Sequence, residues 1–114
     1  MKINYNGRRF SVAHNSNEGD VDTKTIFHYH QQDMYLWGHY FGAKVKAGVI
    51  LGKVLDNSIL EFQYWHYDQD GNLKQGHCRS TPTILQDGRI RLDEEWQWTS
   101  GNQAKGSSII EEIT

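Results

Sequence analysis

Turn-forming residue pairs recur along this chain at roughly every 8 to 14 residues, and this spacing restricts what the chain can fold into. The stretches between the turns are rich in aromatic and β-branched residues that alternate with polar ones, and no window shows a helical period. We therefore predict an all-β fold, an antiparallel up-and-down β-barrel of about eight to ten strands, because a long meander leaves no open edge when it closes on itself. The turn pairs are Asn6-Gly7, Gln32-Asp33, Gly42-Ala43, Asp56-Asn57, Asp70-Gly71 and Asp87-Gly88.

Four consecutive stretches place their apolar residues on one face when each turn is given a two-residue loop. In that register Leu36 lies opposite Tyr29 on one side and Val49 on the other, while Gly48 and Gly52 fall on the outer face. Because side chains alternate with period two, a slip of one residue would move a whole strand's apolar set to the other face. The predicted interior comprises Phe27, Tyr29, Met34, Leu36, Gly38, Tyr40, Val45, Ala47, Val49, Leu51, Leu60, Phe62, Tyr64 and His66.

The register of the stretch after Asp70-Gly71 stays open. A two-residue loop points His77 and Arg79 inward, whereas a three-residue loop points Cys78 and Ser80 inward. Pro82 cannot donate to the strand ladder and predicts a bulge that would change the alternation again.

The segment from Arg89 to Gly101 alternates clearly, with its isoleucine, leucine and two tryptophans on one face. Glu94 has the same parity and should share that face. An ionised carboxylate in a dry interior is costly unless it is paired or hydrogen-bonded. Glu94 is therefore either an internal structural group or the polar anchor of a site.

Size and charge limit the function classes. The chain has 114 residues, enough for one domain, which we take as residues 1–114. Lys and Arg number 12 against 14 Asp and Glu, and no basic face predicts a nucleic-acid or membrane partner. No stretch reads as a signal peptide or a membrane span. The chain has one cysteine, Cys78, so we predict no disulfide and expect a cytoplasmic location. We interpret Cys78 as a buried, inert thiol.

Several stretches together resemble a known family. "FHYHQ", "GVILG", "FQYWH", "GHCRSTP" and "GRIRLDEEWQWTSG" are similar to a group of small uncharacterised bacterial proteins with a calycin-like barrel of the lipocalin or avidin type. The resemblance covers the chain from about Phe10 onward and implies that Cys78 and Ser80 point inward. Many members carry the label N-acetylglutamate synthase. A coenzyme A site of the usual kind needs a helix N-terminus and a glycine-rich turn, and this sequence predicts neither.

We predict that a small, partly apolar or aromatic molecule binds in the barrel mouth, with Glu94 as the polar anchor. No cofactor is predicted. Two other hypotheses stay open: a small acid/base enzyme of the lyase or isomerase type that uses Glu94 with His66 or a tyrosine, and a structural or interaction module that works through the outer aromatic face. The predicted ligand-binding residues are Tyr29, Tyr40, Tyr64, His66, Glu94, Trp96 and Trp98.

The outer face carries histidines and aromatic residues. His28, His30 and His39 share it, but no carboxylate or cysteine completes a ligand set nearby, so we predict no metal site. An apolar patch on adjacent strands is typical of an interface, and we expect a homodimer through it. The aromatic members of this patch are Tyr35, Trp37, Phe41, Trp65 and Tyr67.

Overall fold

The computed structural model describes residues 2–16, 19–101 and 103–113, and these form a closed antiparallel β-barrel. Each strand pairs with the next one along the chain, as a meander requires. This confirms the predicted fold class, with eight strands. The strands are β1 (Arg9–Asn15), β2 (Ile26–Gln32), β3 (Tyr35–Gly42), β4 (Val45–Val54), β5 (Leu60–Asp68), β6 (Leu73–Ile84), β7 (Ile90–Trp98) and β8 (Lys105–Glu112).

The barrel closes because the first strand pairs with the last. In β1, Phe10 lies opposite Glu112 and Val12 lies opposite Ile110, with a register shift after Val12. The two strands hydrogen-bond to each other in antiparallel fashion, so neither edge of the meander is left with a row of unpaired backbone groups. Every inward side chain therefore shares one interior.

The segment before β1 covers one end of the barrel. We expected an Asn6-Gly7 hairpin with a strand before it; the turn is present, but residues 2–8 are not in a strand. Of the two central turn residues, only Gly7 has a positive φ, and the Arg8 amide donates to the Tyr5 carbonyl. This geometry fits a type II turn rather than the type I′ turn of a two-residue hairpin. Tyr5 is fully buried, and its hydroxyl donates to the Ser58 carbonyl at 2.7 Å.

The inward residues of β4 differ from the prediction. The β3–β4 turn lies at Ala43-Lys44 rather than Gly42-Ala43, and an irregularity near Val45 shifts the register by one more residue. Leu36 therefore lies opposite Gly52, three residues beyond the expected Val49. Gly48 and Gly52 therefore point inward, not outward, and Ile50 between them is buried. The predicted inward positions of Ala47, Val49, Leu51 and, in the preceding turn, Met34 are wrong, because all four are exposed.

Large rings inside the barrel explain this register. A Cβ at Gly48 would lie 2.5 Å from the Tyr40 ring, and one at Gly52 would overlap the Glu61 carbonyl oxygen and the Cα and Cβ atoms of Phe62. Glycines on the inner face of β4 thus leave the space that the Tyr40 ring and the backbone of β5 occupy. A valine and a leucine there would overfill an interior of this size.

A second offset restores the predicted parity of β5. Val54 pairs with Leu60, so the connection is five residues long with a short 3-10 turn at Asp56–Ser58, not a two-residue loop. Both register shifts are by an odd number of residues, so their effects on parity cancel and the inner residues of β5 are as predicted. These residues are Leu60, Phe62, Tyr64 and His66.

In β6 the open register is settled by pairing with both neighbours. Phe62 lies opposite Cys78, so Cys78 and Ser80 point inward, as the resemblance implied. The bulge expected at Pro82 is wrong, because Pro82 pairs with Leu92 without a register shift. The proline is buried on the same inner face, so the alternation continues through it.

The outer face carries the exposed aromatic residues predicted for it. Trp37 is 40 % exposed and lies opposite Leu51, which is 62 % exposed, so the corrected register adds Val49 and Leu51 to this apolar patch. The homodimer expected through it stays a prediction. The described ranges contain no helix with the length and apolar character needed to span a bilayer.

The register of β4 can be tested with two adjacent alanine substitutions. Ile50→Ala should lower the free energy of unfolding by about 2–5 kcal/mol, because it leaves a cavity in the interior. Leu51→Ala should lower it by less than about 1 kcal/mol, because that side chain is in solvent. Urea denaturation measures both values, and the reverse order of the two effects would contradict the register.

Candidate functional site

A cavity of about 50 Å³ lies inside the barrel, toward the end where the β1–β2 and β3–β4 connections are. All the predicted ligand-binding residues line it except Tyr29. Tyr29 is fully buried and packs against Phe10 and Tyr5, nearer the opposite end. The predicted residues that line the cavity are Tyr40, Tyr64, His66, Glu94, Trp96 and Trp98.

Glu94 is held by the two strands that flank it. The register places Ser80 of β6 and Ser108 of β8 directly opposite it. Each serine hydroxyl donates to one carboxylate oxygen at 2.9 Å, so both oxygens have a partner while the side chain stays 6 % exposed. Three neighbouring strands thus build one polar cluster on the inner face of the barrel.

Burial raises the pKa of Glu94 from 4.5 to about 7, and the hydrogen bonds from Ser80, Ser108 and Cys78 only partly oppose this effect. The charged form is disfavoured because the interior cannot solvate it. Near neutral pH the carboxyl group is therefore close to its midpoint and can either accept a proton or bind a cation.

A chain of polar contacts joins the cavity to the solvent. The Tyr40 hydroxyl lies 2.8 Å from His66 Nδ1, and His66 Nε2 lies 2.9 Å from Asp20 Oδ2. Lys74 Nζ donates to the same Asp20 oxygen at 2.9 Å, and its ammonium group lies 5.5 Å from the centre of the Trp98 ring. These contacts hold the β1–β2 connection against the barrel mouth.

The hydrogen bonds from His66 and Lys74 lower the pKa of Asp20 to about 2, although its partial burial opposes the shift. Asp20 therefore stays ionised over the physiological range. Its charge binds the β1–β2 connection to a buried histidine on β5 and a half-exposed lysine on β6.

Three polar cavity residues were not found by sequence reasoning: Asn15, Asp20 and Ser108. Asn15 and Asp20 flank a loop, where no periodicity indicates which way a side chain points. Ser108 could have been found from the β7–β8 register, because that register places it directly opposite Glu94.

Cys78 lines the cavity as a free thiol. Its Sγ lies 3.7 Å from Ser80 Oγ. Burial, followed by the charge of Glu94, raises the pKa of the thiol well above its usual value. A nucleophilic cysteine needs the opposite shift, so Cys78 acts here as a small apolar group.

His28, His30 and His39 stack on the outer face. The β2–β3 register places Tyr29 opposite Gly38, not opposite Leu36 as expected, because the turn lies at Asp33-Met34. The same register sets His28 opposite His39, and their rings lie 4.6 Å apart and nearly parallel. Within the described part of the chain, no group of three or more His, Cys, Asp or Glu side chains is arranged to hold a metal ion.

The protonation of Glu94 should appear in the stability of the barrel. The Glu94 carboxyl group loses its proton near pH 4.5 in the unfolded chain but only near pH 7 in the folded protein. The free energy of unfolding should therefore fall as the pH rises from about 4.5 to 7, by up to about 3 kcal/mol. Glu94→Gln should remove this dependence, because the amide does not ionise. Urea denaturation at pH 5 and pH 8 measures it, and equal pH dependence in both proteins would contradict the buried carboxyl.

Asp20 should act in the opposite direction. Its lowered pKa stabilises the fold above pH 3.8, and this contribution is lost as the pH falls toward 2. Asp20→Asn should therefore cost about 1–2 kcal/mol at pH 7 and much less near pH 2. Asp33→Asn, at an exposed turn, is the control and should change little. A loss that persists unchanged at pH 2 would contradict the ion pair.

Comparison with known proteins agrees with this barrel. Neither a curated protein nor a solved structure shows significant similarity to the chain. The family model described as "Avidin-like protein" matches residues 3–113, which covers all eight strands. This chain therefore belongs to the Avidin-like family.

Proposed function

We propose that this protein binds a small, partly apolar molecule inside the barrel, with Glu94 as the polar anchor. One observation carries the proposal: the cavity combines aromatic rings with a buried carboxylate whose oxygens are oriented by two serines. Cavities of this composition, mostly apolar with a few placed polar groups, are typical of ligand sites. Membership of the Avidin-like family is consistent with such a role.

The size of the cavity limits the ligand. A volume of about 50 Å³ holds only a few water molecules or a very small organic group. Gly19, Asp20 and Val21 form part of its lining, so a larger ligand requires this connection to move. The bonds from Asp20 to His66 and Lys74 oppose that movement.

Binding is favoured over acid/base catalysis by the separation of the two candidate groups. Glu94 bonds to Ser80 and Ser108, whereas His66 bonds to Tyr40 and Asp20. The two side chains therefore belong to different hydrogen-bond networks.

A cytoplasmic location and a bacterial source stay predictions.

Native mass spectrometry of protein purified from its own host tests the proposal. We expect a small molecule to travel with the folded chain and to be lost in Trp98→Leu, because Trp98 forms part of the cavity lining. Trp37→Leu, which changes a tryptophan on the outer face, is the matched control and should keep the ligand. A ligand that survives Trp98→Leu but not Trp37→Leu would contradict an interior site.

A further inference from the structure

We propose that the ligand is a small organic cation, such as a primary ammonium compound, whose charged group sits at Glu94 among the aromatic rings of the cavity. This inference rests on the proposed function and names its ligand class. It is drawn from three features of the cavity: one buried hydrogen-bond acceptor without a partner, the absence of a positive partner for Glu94 among the described residues, and the aromatic rings around them.

The cavity offers an acceptor that nothing in the described structure uses. Asn15 lines it, and the side-chain Nδ2 of Asn15 donates to the Val21 carbonyl at 2.9 Å. This bond fixes the orientation of the amide, so its other atom is the oxygen. That oxygen, Oδ1, is buried and has no hydrogen-bond partner. An unsatisfied buried acceptor is costly, and a ligand with N–H groups would satisfy it.

Glu94 has no positive partner in the described part of the chain. None of the ion pairs formed by residues 2–16, 19–101 and 103–113 includes it. Its oxygens each accept one serine hydroxyl, and a carboxylate oxygen can accept a second hydrogen bond. A bound cation would form an ion pair with the buried carboxylate and so offset part of the free energy that its desolvation costs.

The rings around the cavity suit a cation with an apolar body. Trp96 and Trp98 meet edge to face with centres 5.7 Å apart, and Tyr64 meets Trp98 at 5.6 Å. Aromatic faces attract cations, most strongly when the site is dry. Trp98 already interacts in this way with Lys74 at the mouth.

The affinity for a cation should depend on the charge of Glu94. A cation binds the ionised carboxylate, so protons compete with it below about pH 7. The other titratable groups that interact with Glu94 are Tyr29 of β2, Tyr40 of β3, Tyr64 of β5 and Cys78 of β6, whose pKa values are all raised. These four groups stay neutral across the range. His66 and Asp20 also line the cavity but bond to each other rather than to Glu94, so the part of the pH dependence that is lost in Glu94→Gln is the part assigned to Glu94.

Isothermal titration calorimetry of the full chain with three probes of equal length tests the inference. The probes are propylammonium, propan-1-ol and propanoate. At pH 8 propylammonium should bind at least about tenfold more tightly than either of the others. Below pH 7 its affinity should fall about tenfold for each pH unit, while the affinity for the alcohol stays constant.

Two variants and their control sharpen the test. Glu94→Gln should abolish the preference for propylammonium, and Asn15→Ala should reduce it about threefold or more. Glu95→Gln, at the next position on the same strand but in solvent, should leave it unchanged. If Glu94→Gln does not fold, the pH series on the unaltered chain decides.

The outcomes separate the inference from the function it rests on. Equal affinity for propan-1-ol and propylammonium, or a preference that survives Glu94→Gln, would overturn the cationic ligand while leaving the interior site. If no probe binds but a neutral compound travels with the protein in native mass spectrometry, only the inference fails. If neither experiment finds a ligand, both fail.

Discussion

The pairing of β1 with β8 is the constraint on which the rest of the structure depends. It closes the sheet, so that all eight strands point alternate side chains into one enclosed space. An eight-stranded barrel is just wide enough for its own side chains to fill. Tyr5, Phe10 and Tyr29 fill one end, and the cavity is what remains toward the other. Any polar group on an inward position must therefore find its partners inside.

Strand register supplies the hydrogen-bond partners of Glu94. Because Ser80, Glu94 and Ser108 occupy facing positions on three adjacent strands, two hydroxyls reach the carboxylate without any loop. The serines satisfy hydrogen bonds but supply no charge, so burial still dominates and the pKa rises. The same strands that stabilise the barrel thus keep one acid poised near neutral pH, beside an unpaired amide oxygen and a set of aromatic rings.

Much of this could be predicted from alternation alone, because period two is unambiguous on strands with a clean polar face. Leu92 and Trp96 on β7 were placed correctly for that reason, since Arg91, Asp93 and Glu95 form its outer face. The β4 register failed because both of its faces are apolar, and only the space needed by Tyr40 decides that Gly48 points inward. Asp20 was missed because it lies outside any strand, and its role depends on a tertiary contact with His66.

The most direct test of the central claim is an NMR titration of the Glu94 side-chain carboxyl carbon in the folded protein. A buried carboxyl without a countercharge should titrate with a midpoint near pH 7. The signal should be assigned by its disappearance in Glu94→Gln. A midpoint near 4.5, the value of a solvated glutamate, would show that Glu94 does not lie in the enclosed interior and would contradict the structure of the site.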